Sequence, residues 1–423
     1  MASAEGLLQR PLPPLRRQSS FLRLWASVSV SVFGDQISAL AIPLAAVLML
    51  HASATEMGLL TALFWLPHLV FALPVGVWVD ARPVKRRVMV VADVARAALL
   101  ASIPIAAALD ALSLEQLYIV VFLVGSCAVF FDLSYSSFFT ATVPREQVLA
   151  ANGRLSTSRA VAYVAGPSLA GVLVQVLTAP LAILADAVSF VASALFLRGA
   201  RVDEPFHESR GVSALLRTKE GIRILMRHPL LRGSVGCAST VNFFTFMIAA
   251  VYVLYASSTL DLSAGMIGIT LGVGAVGALL GALVAPRIGR RIGLGPTIVL
   301  GCLLFSGPLV VLPFAAGSTL GKAAILCAVE LVSGFGVMLF DTNSNSMTAL
   351  AVPQRLRARI AGASRVFNYG TRPFGALIGG VLAGAIGIRP MLLLAALGAV
   401  SSVIWLLASP IAGTRELAAE LDL

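Results

Sequence analysis

Twelve apolar runs of 20 residues or more follow one another along the chain, separated by short charged breaks. They cover 21–50, 55–79, 88–110, 113–143, 153–177, 180–199, 231–258, 263–285, 294–316, 320–350, 362–387 and 389–408. A helix crosses the hydrocarbon core of a bilayer with about 20 apolar residues, so each run suffices for one crossing. Strands of a membrane barrel would be about 10 residues long and would alternate in polarity; these runs do neither. Glycine steps such as Gly268, Gly272, Gly274, Gly277 and Gly281 suit helices that must approach closely where lipid supplies no hydrophobic drive. Charged residues make up only 12% of the 423, against roughly 25% in a soluble domain, which excludes a water-exposed surface of ordinary kind. The fold class expected is an all-α membrane protein with twelve transmembrane helices. The opening stretch RRQSSFLRLWASVSVSVF mimics a signal peptide. It lacks a small-residue cleavage site and is followed by eleven more runs, so it reads as an uncleaved first helix.

The net charge of +11 would suggest nucleic acid in a soluble chain, but the positions of the charges say otherwise. If the N-terminus, the even-to-odd loops and the C-terminus share one side, that side holds 28 of the 31 lysines and arginines. Basic excess marks the cytoplasmic side, so both termini are expected in the cytoplasm and no nucleic-acid partner is implied. The four cysteines and four histidines show neither disulfide nor metal-ligand spacing. No nucleophilic triad or phosphate loop is present, so no enzyme, cofactor or metal site is expected.

The parse gives a cytoplasmic tail over 1–20, a six-helix bundle over 21–199, a linker over 200–230, a second bundle over 231–408 and a tail over 409–423. Within the linker, SALLRTKEGIRILMRHP sets Leu215, Ile222, Leu225 and Met226 against Arg217, Lys219, Arg223 and Arg227, the pattern of a helix lying on the inner leaflet. The halves repeat one another. FDLSYSSFFTATVP (131–144) aligns without a gap to FDTNSNSMTALAVP (340–353), an offset of 209 that also carries Gly153, Gly166 and Gly171 onto Gly362, Gly375 and Gly380. Gly76, Arg82 and Arg86 map to Gly281, Arg287 and Arg291 at an offset of 205. A parallel duplication of six helices implies two pseudo-symmetric bundles about an axis along the membrane normal, with a central site between them.

Residues 76–97, GVWVDARPVKRRVMVVADVARA, resemble the loop signature of the major facilitator superfamily: a glycine, an aspartate, then a basic cluster. Where that signature usually has a basic residue and a glycine, this chain has Ala81 and Pro83, so Arg82, Lys85, Arg86 and Arg87 supply the charge. FGDQISALAIPL in the first run, REQVLAANGRL followed by AGPSLAGVL, ILADAVSF, and KEGIRILMRHPLLRG resemble the exporter branch that includes macrolide-efflux and enterobactin-exporter-like proteins. The resemblance runs from about 20 to 410. It implies alternating access and efflux driven by the proton gradient, with a small-molecule substrate, in a functional monomer in the cell membrane. The rival expectations are export of a siderophore or other anionic metabolite and movement of lysolipids between leaflets. The fourth segment lacks the arginine that many drug–proton antiporters of this superfamily carry there.

An ionisable group at mid-bilayer costs roughly 2.5–3.5 kcal/mol on insertion scales and so needs a partner or a cavity. Asp35 lies midway along the first run, Asp132 along the fourth, and Asp341 at the repeat-equivalent place in the tenth. Glu330, eleven residues before Asp341, falls on the same helical face. Asn343 and Asn345 extend that polarity, and Asn242 sits near the middle of the seventh run. In the resembling family the first, fourth, seventh and tenth helices line the cavity. Arg372, in the eleventh, is a counter-charge for Asp341 or Glu330 or an anchor for an acidic substrate. Asp186, the Asp93/Arg96 pair and His68 read first as structural. Gly76, Asp80, Arg82, Arg86 and Arg87 form a candidate gate in which Asp80 accepts amide hydrogen bonds at a helix start and pairs with Arg86 or Arg87. Gly166, Pro167 and Gly171 resemble the antiporter motif of exporters, a kinked helix with room for a close neighbour.

Overall fold

The computed structural model describes residues 14–82, 84–200 and 214–414, and every regular element among them is helical. The tails and linker expected over 1–20, 200–230 and 409–423 therefore lie partly outside the described residues. The first half comprises α1 (Ser19–Leu48), α2 (Ala54–Asp80), α3 (Lys85–Ala108), α4 (Leu114–Thr142), α5 (Val148–Val176) and α6 (Ala179–Gly199). The connecting stretch carries α7 (Ala214–Arg227). The second half comprises α8 (Pro229–Leu254), α9 (Ala264–Ile292), α10 (Leu294–Ser306), α11 (Thr319–Ala351), α12 (Gln354–Ile386), α13 (Ile388–Ser401) and α14 (Val403–Leu407). Beyond α10 the chain tightens into a 3₁₀ stretch over Gly307–Phe314, where Pro308 and Pro313 remove backbone donors.

Among the described residues, eleven helical segments are long and apolar enough to cross a membrane, against the twelve expected. The remaining run, 362–387, lies within α12 and is diluted by Arg372 and several glycines. The repeat is visible in the turns as well as in the sequence. Ser53, Ser113, Ser263 and Ser318 cap α2, α4, α9 and α11, each hydroxyl accepting from the backbone amide three residues on. Ser53 and Glu56 complete a reciprocal capping box. Two residues before the first and third of these caps, His51 and Asp261 both turn the chain at positive φ, 52° and 56°.

Alternate helices run in opposite directions, which gives the bundle two ends. One, the terminus end, holds the start of α1 and the turns after α2, α4 and α6; the other is the far end. At the far end a single apolar core spans both halves, from Leu40, Leu44 and Ile183 to Val251, Tyr255 and Leu326. At the terminus end the core is split into pieces that each stay within one half, the smallest of them Val75, Val79 and Val129 of α2 and α4. Phe21, Leu24, Met89 and Phe138 pack within the first half, and Leu231, Cys237, Met347 and Ile360 within the second. The halves thus meet at the far end and part toward the terminus end, leaving a crevice.

Two helix crossings hold the far end together, α2 on α12 and α5 on α9. A Cβ added at Gly58 would lie 2.7 Å from Gly380 Cα, and one at Gly171 would lie 3.0 Å from Gly268 Cα. The two sides of α9 divide its glycines. Gly268 and Gly272 press on α5, whereas Gly274, Gly277 and Gly281 press on α11. Close backbone approach of this kind lets dispersion replace the missing hydrophobic drive. Part of the apolar side of α7 is taken up by protein: Leu225 is buried while Met226 is exposed, Gly221 abuts the Arg359 carbonyl, and Glu220 pairs with Arg359 at 2.6 Å.

Candidate functional site

In the second half a cavity of about 380 Å³ opens between α7, α8, α11 and α12. Asp341 and Asn345 of α11 line it, together with Arg365, Asn368 and Tyr369 of α12. Asp341, Asn345 and Arg365 are exposed, although Asp341 lies two-thirds of the way along a membrane-length helix. Ser239 and Ser344 also line this space, and their buried hydroxyls have no protein partner.

Arg372 stands one turn beyond Asn368, and its Nη2 donates to Asn368 Oδ1 at 3.4 Å. Three rings gather around the guanidinium: Trp65 at 4.4 Å, Tyr369 at 4.3 Å and Phe246 at 5.0 Å from its carbon. His68 completes the group, stacked on Tyr369 at 5.8 Å and beside Trp65 at 5.3 Å. Cation–π contacts gain strength away from water, which explains how the charge is tolerated without a carboxylate. Asp341 lies within electrostatic reach of Arg372, but no carboxylate among the described residues comes within ion-pair distance of it. The aromatic members were not singled out by the sequence. Trp65/His68 and Tyr369/Arg372 are visible there as i,i+3 pairs, yet only the packing of α2 on α8 and α12 brings them together.

In the first half Asp35 sits mid-length on α1 and Asp132 mid-length on α4, both exposed. Between them lies a buried network. Arg96 pairs with Asp93, the Ser193 hydroxyl donates to Asp93, and Ser27 and Ser193 share a further hydrogen bond at 2.7 Å. Phe131 and Phe190 cover the Arg96 guanidinium at 4.7 and 4.1 Å. Arg96 is also within electrostatic reach of both Asp35 and Asp132. Asp132 further faces Arg159 of its own half and Arg365 across the crevice. Asp186 is buried and accepts from Ser38 and Ser189, with Gly34 leaving the space it occupies.

The remaining expected residues are placed apart from these groups. Glu330 faces Gly274 of α9 and the Tyr252 hydroxyl of α8. Although it shares a face of α11 with Asp341, three turns of helix separate them. Asn242 donates to the Ala238 carbonyl of its own helix at 2.8 Å. Asp80 is the last residue of α2, and its side chain lies outside the described residues. Arg82 stacks on Trp78 at 4.4 Å, and Arg86 donates to the carbonyls of Arg198 and Ala200, tying α3 to the end of α6. Arg87 is exposed, and a Cβ at Gly76 would meet nothing within 4 Å. Gly166 abuts Gln36 of α1, the Pro167 carbonyl abuts Gly268, and Gly171 abuts Ala264, so this motif forms one of the two far-end crossings. Among the described residues no group of three His, Cys, Asp or Glu side chains is placed to hold a metal ion.

Comparison with known proteins agrees with this architecture. The family model described as Major Facilitator Superfamily matches residues 24–372 and 235–421. The multidrug efflux pump Tap of Mycobacterium tuberculosis is 26% identical over 424 residues, covering 96% of this chain and 97% of that protein. The uncharacterized MFS-type transporter YfiS of Bacillus subtilis is 25% identical over 392 residues, 90% of each chain. Among solved structures, a bacterial homologue of the iron transporter ferroportin superposes with a TM-score of 0.73 at 17% identity, covering 94% of this chain and 99% of that one. A bacterial homologue of the lysosomal transporter Spinster gives 0.71 at 14% identity, covering 96% and 100%. With eleven membrane-length helices among the described residues, a duplicated half and a crevice between the halves, the chain is a membrane transporter that belongs to the Major Facilitator Superfamily.

Proposed function

We propose that the chain is a proton-coupled exporter of small amphipathic compounds such as antibiotics or secondary metabolites. In this reading it works by alternating access from the cell membrane, as a monomer with twelve spans and both termini in the cytoplasm. The observation that carries the reading is the division of the apolar core: one piece spans both halves at the far end, and at the terminus end each half keeps its own. A transporter in one of its two access states needs that arrangement, since the crevice must be sealed on one side and open on the other. The acidic groups supply the coupling. Asp35 and Asp132 are exposed at mid-length of α1 and α4, and Asp341 lines the cavity of the second half. An aspartate at membrane depth that binds a proton on one side and releases it on the other couples flux to the gradient. The similarity to a multidrug efflux pump over nearly the full length supports efflux as the direction.

Asp35 is the first candidate for the proton site, because it lies within electrostatic reach of the carboxyls of Asp132, Asp93 and Asp186 and of Arg96, with which it makes no ion pair. Purified protein in proteoliposomes, assayed with ethidium as substrate and with or without an imposed pH gradient, tests it. Asp35→Asn should abolish gradient-driven accumulation while keeping downhill exchange. Gradient-driven accumulation at the wild-type level by Asp35→Asn would move the role to Asp132, Asp341 or Glu330.

A further inference from the structure

The arrangement around Arg372 is more specific than a generic apolar crevice requires. The separations of Trp65 and Tyr369 from the guanidinium, 4.4 and 4.3 Å, and from each other, 5.9 Å, place the two rings at about a right angle as seen from the charge. Phe246, 5.4 Å from Trp65, is a third ring beside the charge. Trp65 and Tyr369 therefore meet the guanidinium from adjacent sides and do not sandwich it. Of the five N–H donors of an arginine, Nε is buried without a protein partner and Nη2 has only the long bond to Asn368. His68 Nδ1, in the same cluster, is likewise buried and unpartnered. Nearly all buried polar groups in proteins find a partner, and this cluster leaves two without one.

The position suits a substrate. Asn368 and Tyr369, which touch Arg372, are also walls of the cavity of about 380 Å³, a size that holds a compact organic molecule. The seat joins both halves: Trp65 and His68 come from α2, Phe246 from α8, Tyr369 and Arg372 from α12. Along α2 and α12 it lies about midway between the closed Gly58–Gly380 crossing and the parted terminus end.

We propose that this cluster is a substrate seat and that it takes a small planar aromatic carboxylate. The acid binds the Arg372 guanidinium, as a guanidinium fork accepts a carboxylate, and its ring lies among Trp65, Tyr369 and Phe246. Asp341 stays beyond ion-pair distance and leaves the guanidinium without a carboxylate partner among the described residues. The proposal rests on the reading that small molecules pass through the crevice, and it adds aromatic acids to their class.

Full-length protein in detergent and tritiated 1-naphthoate in a scintillation proximity assay test it, with 1-naphthylmethylammonium and cyclohexanecarboxylate as competitors. The naphthoate should bind at least tenfold more tightly than either competitor. Arg372→Gln should lose at least tenfold of the naphthoate affinity and leave the ammonium compound unaffected, and Arg372→Lys should retain part of it. Trp65→Leu should erase the preference for the aromatic over the cyclohexane acid, and it serves as the readout if Arg372→Gln does not fold. Equal binding of acid and ammonium, or full naphthoate affinity in Arg372→Gln, overturns the seat. Gradient-driven ethidium export alongside that result would leave the efflux reading standing. Naphthoate binding with the stated selectivity, in protein that exports nothing, would uphold the seat and sink the efflux reading.

Discussion

At the scale of single residues, the Asp93–Arg96 pair shows how a charge is kept at membrane depth. Both side chains are almost wholly buried, at 0% and 4% exposure, and aromatic rings and serines surround them. Removing one partner of a buried pair leaves an uncompensated charge, which costs about 3–5 kcal/mol. Asp93→Asn alone should therefore lower the melting temperature of the purified protein more than the double variant Asp93→Asn/Arg96→Gln does. If Arg96 also balances Asp35 and Asp132, the double variant should fold and still transport poorly, measured as ethidium flux in proteoliposomes. Normal flux in that variant would confine Arg96 to a structural role. The sequence shows the pair as an i,i+3 spacing on one helix. Its reach to two other helices depends on how α1, α3 and α4 pack.

At the scale of elements, glycines on α2 and α12 occur at matched spacing. Gly76 is 18 residues after Gly58, and Gly362 is 18 residues before Gly380. Eighteen residues are about five helical turns, so on these antiparallel helices Gly76 and Gly362 occupy the same faces as the two glycines already in contact. Neither has anything within 4 Å of its Cβ position. If the terminus end closes as the proposed alternation requires, this spacing would set Gly76 against Gly362. Gly76→Leu should leave the melting temperature nearly unchanged and slow ethidium transport at least tenfold. Gly58→Leu, which meets backbone at 2.7 Å, should destabilise the protein outright. Unimpaired flux in Gly76→Leu would mean that the terminus end closes without this contact. A glycine and its spacing are legible in the sequence; which glycines touch in a given state is not.

At the scale of the whole molecule, the distribution of basic residues sets which way the bundle sits. With the four native cysteines replaced by alanine, Ser209→Cys and Ala316→Cys place one thiol on each expected side. In intact cells an impermeant maleimide should label only the second, and labelling of Ser209→Cys would reverse the orientation. The same scale explains the split core. Helix contacts within each half are extensive throughout, while those between halves, α2 on α12 and α5 on α9, are closest at the far end. A rigid half that pivots about two small-residue crossings changes the accessible side without unpacking its own core.

The sequence by itself determined the all-α membrane fold, most helix ends to within a few residues and the duplication of the halves. Each of these rests on local composition and spacing, which a bilayer enforces by demanding long apolar helices with satisfied backbones. It also marked Asp35, Asp132, Asp341 and Arg372, because any charge in such a segment stands out. Tertiary structure alone decided what those charges face. Nothing in the linear order joins Trp65, Phe246 and Tyr369 around Arg372, or sets Glu330 against Tyr252 and away from Asp341. In an apolar solvent many apolar faces are equally acceptable to lipid, so the choice of neighbour falls to close packing of small residues, a property of helix pairs.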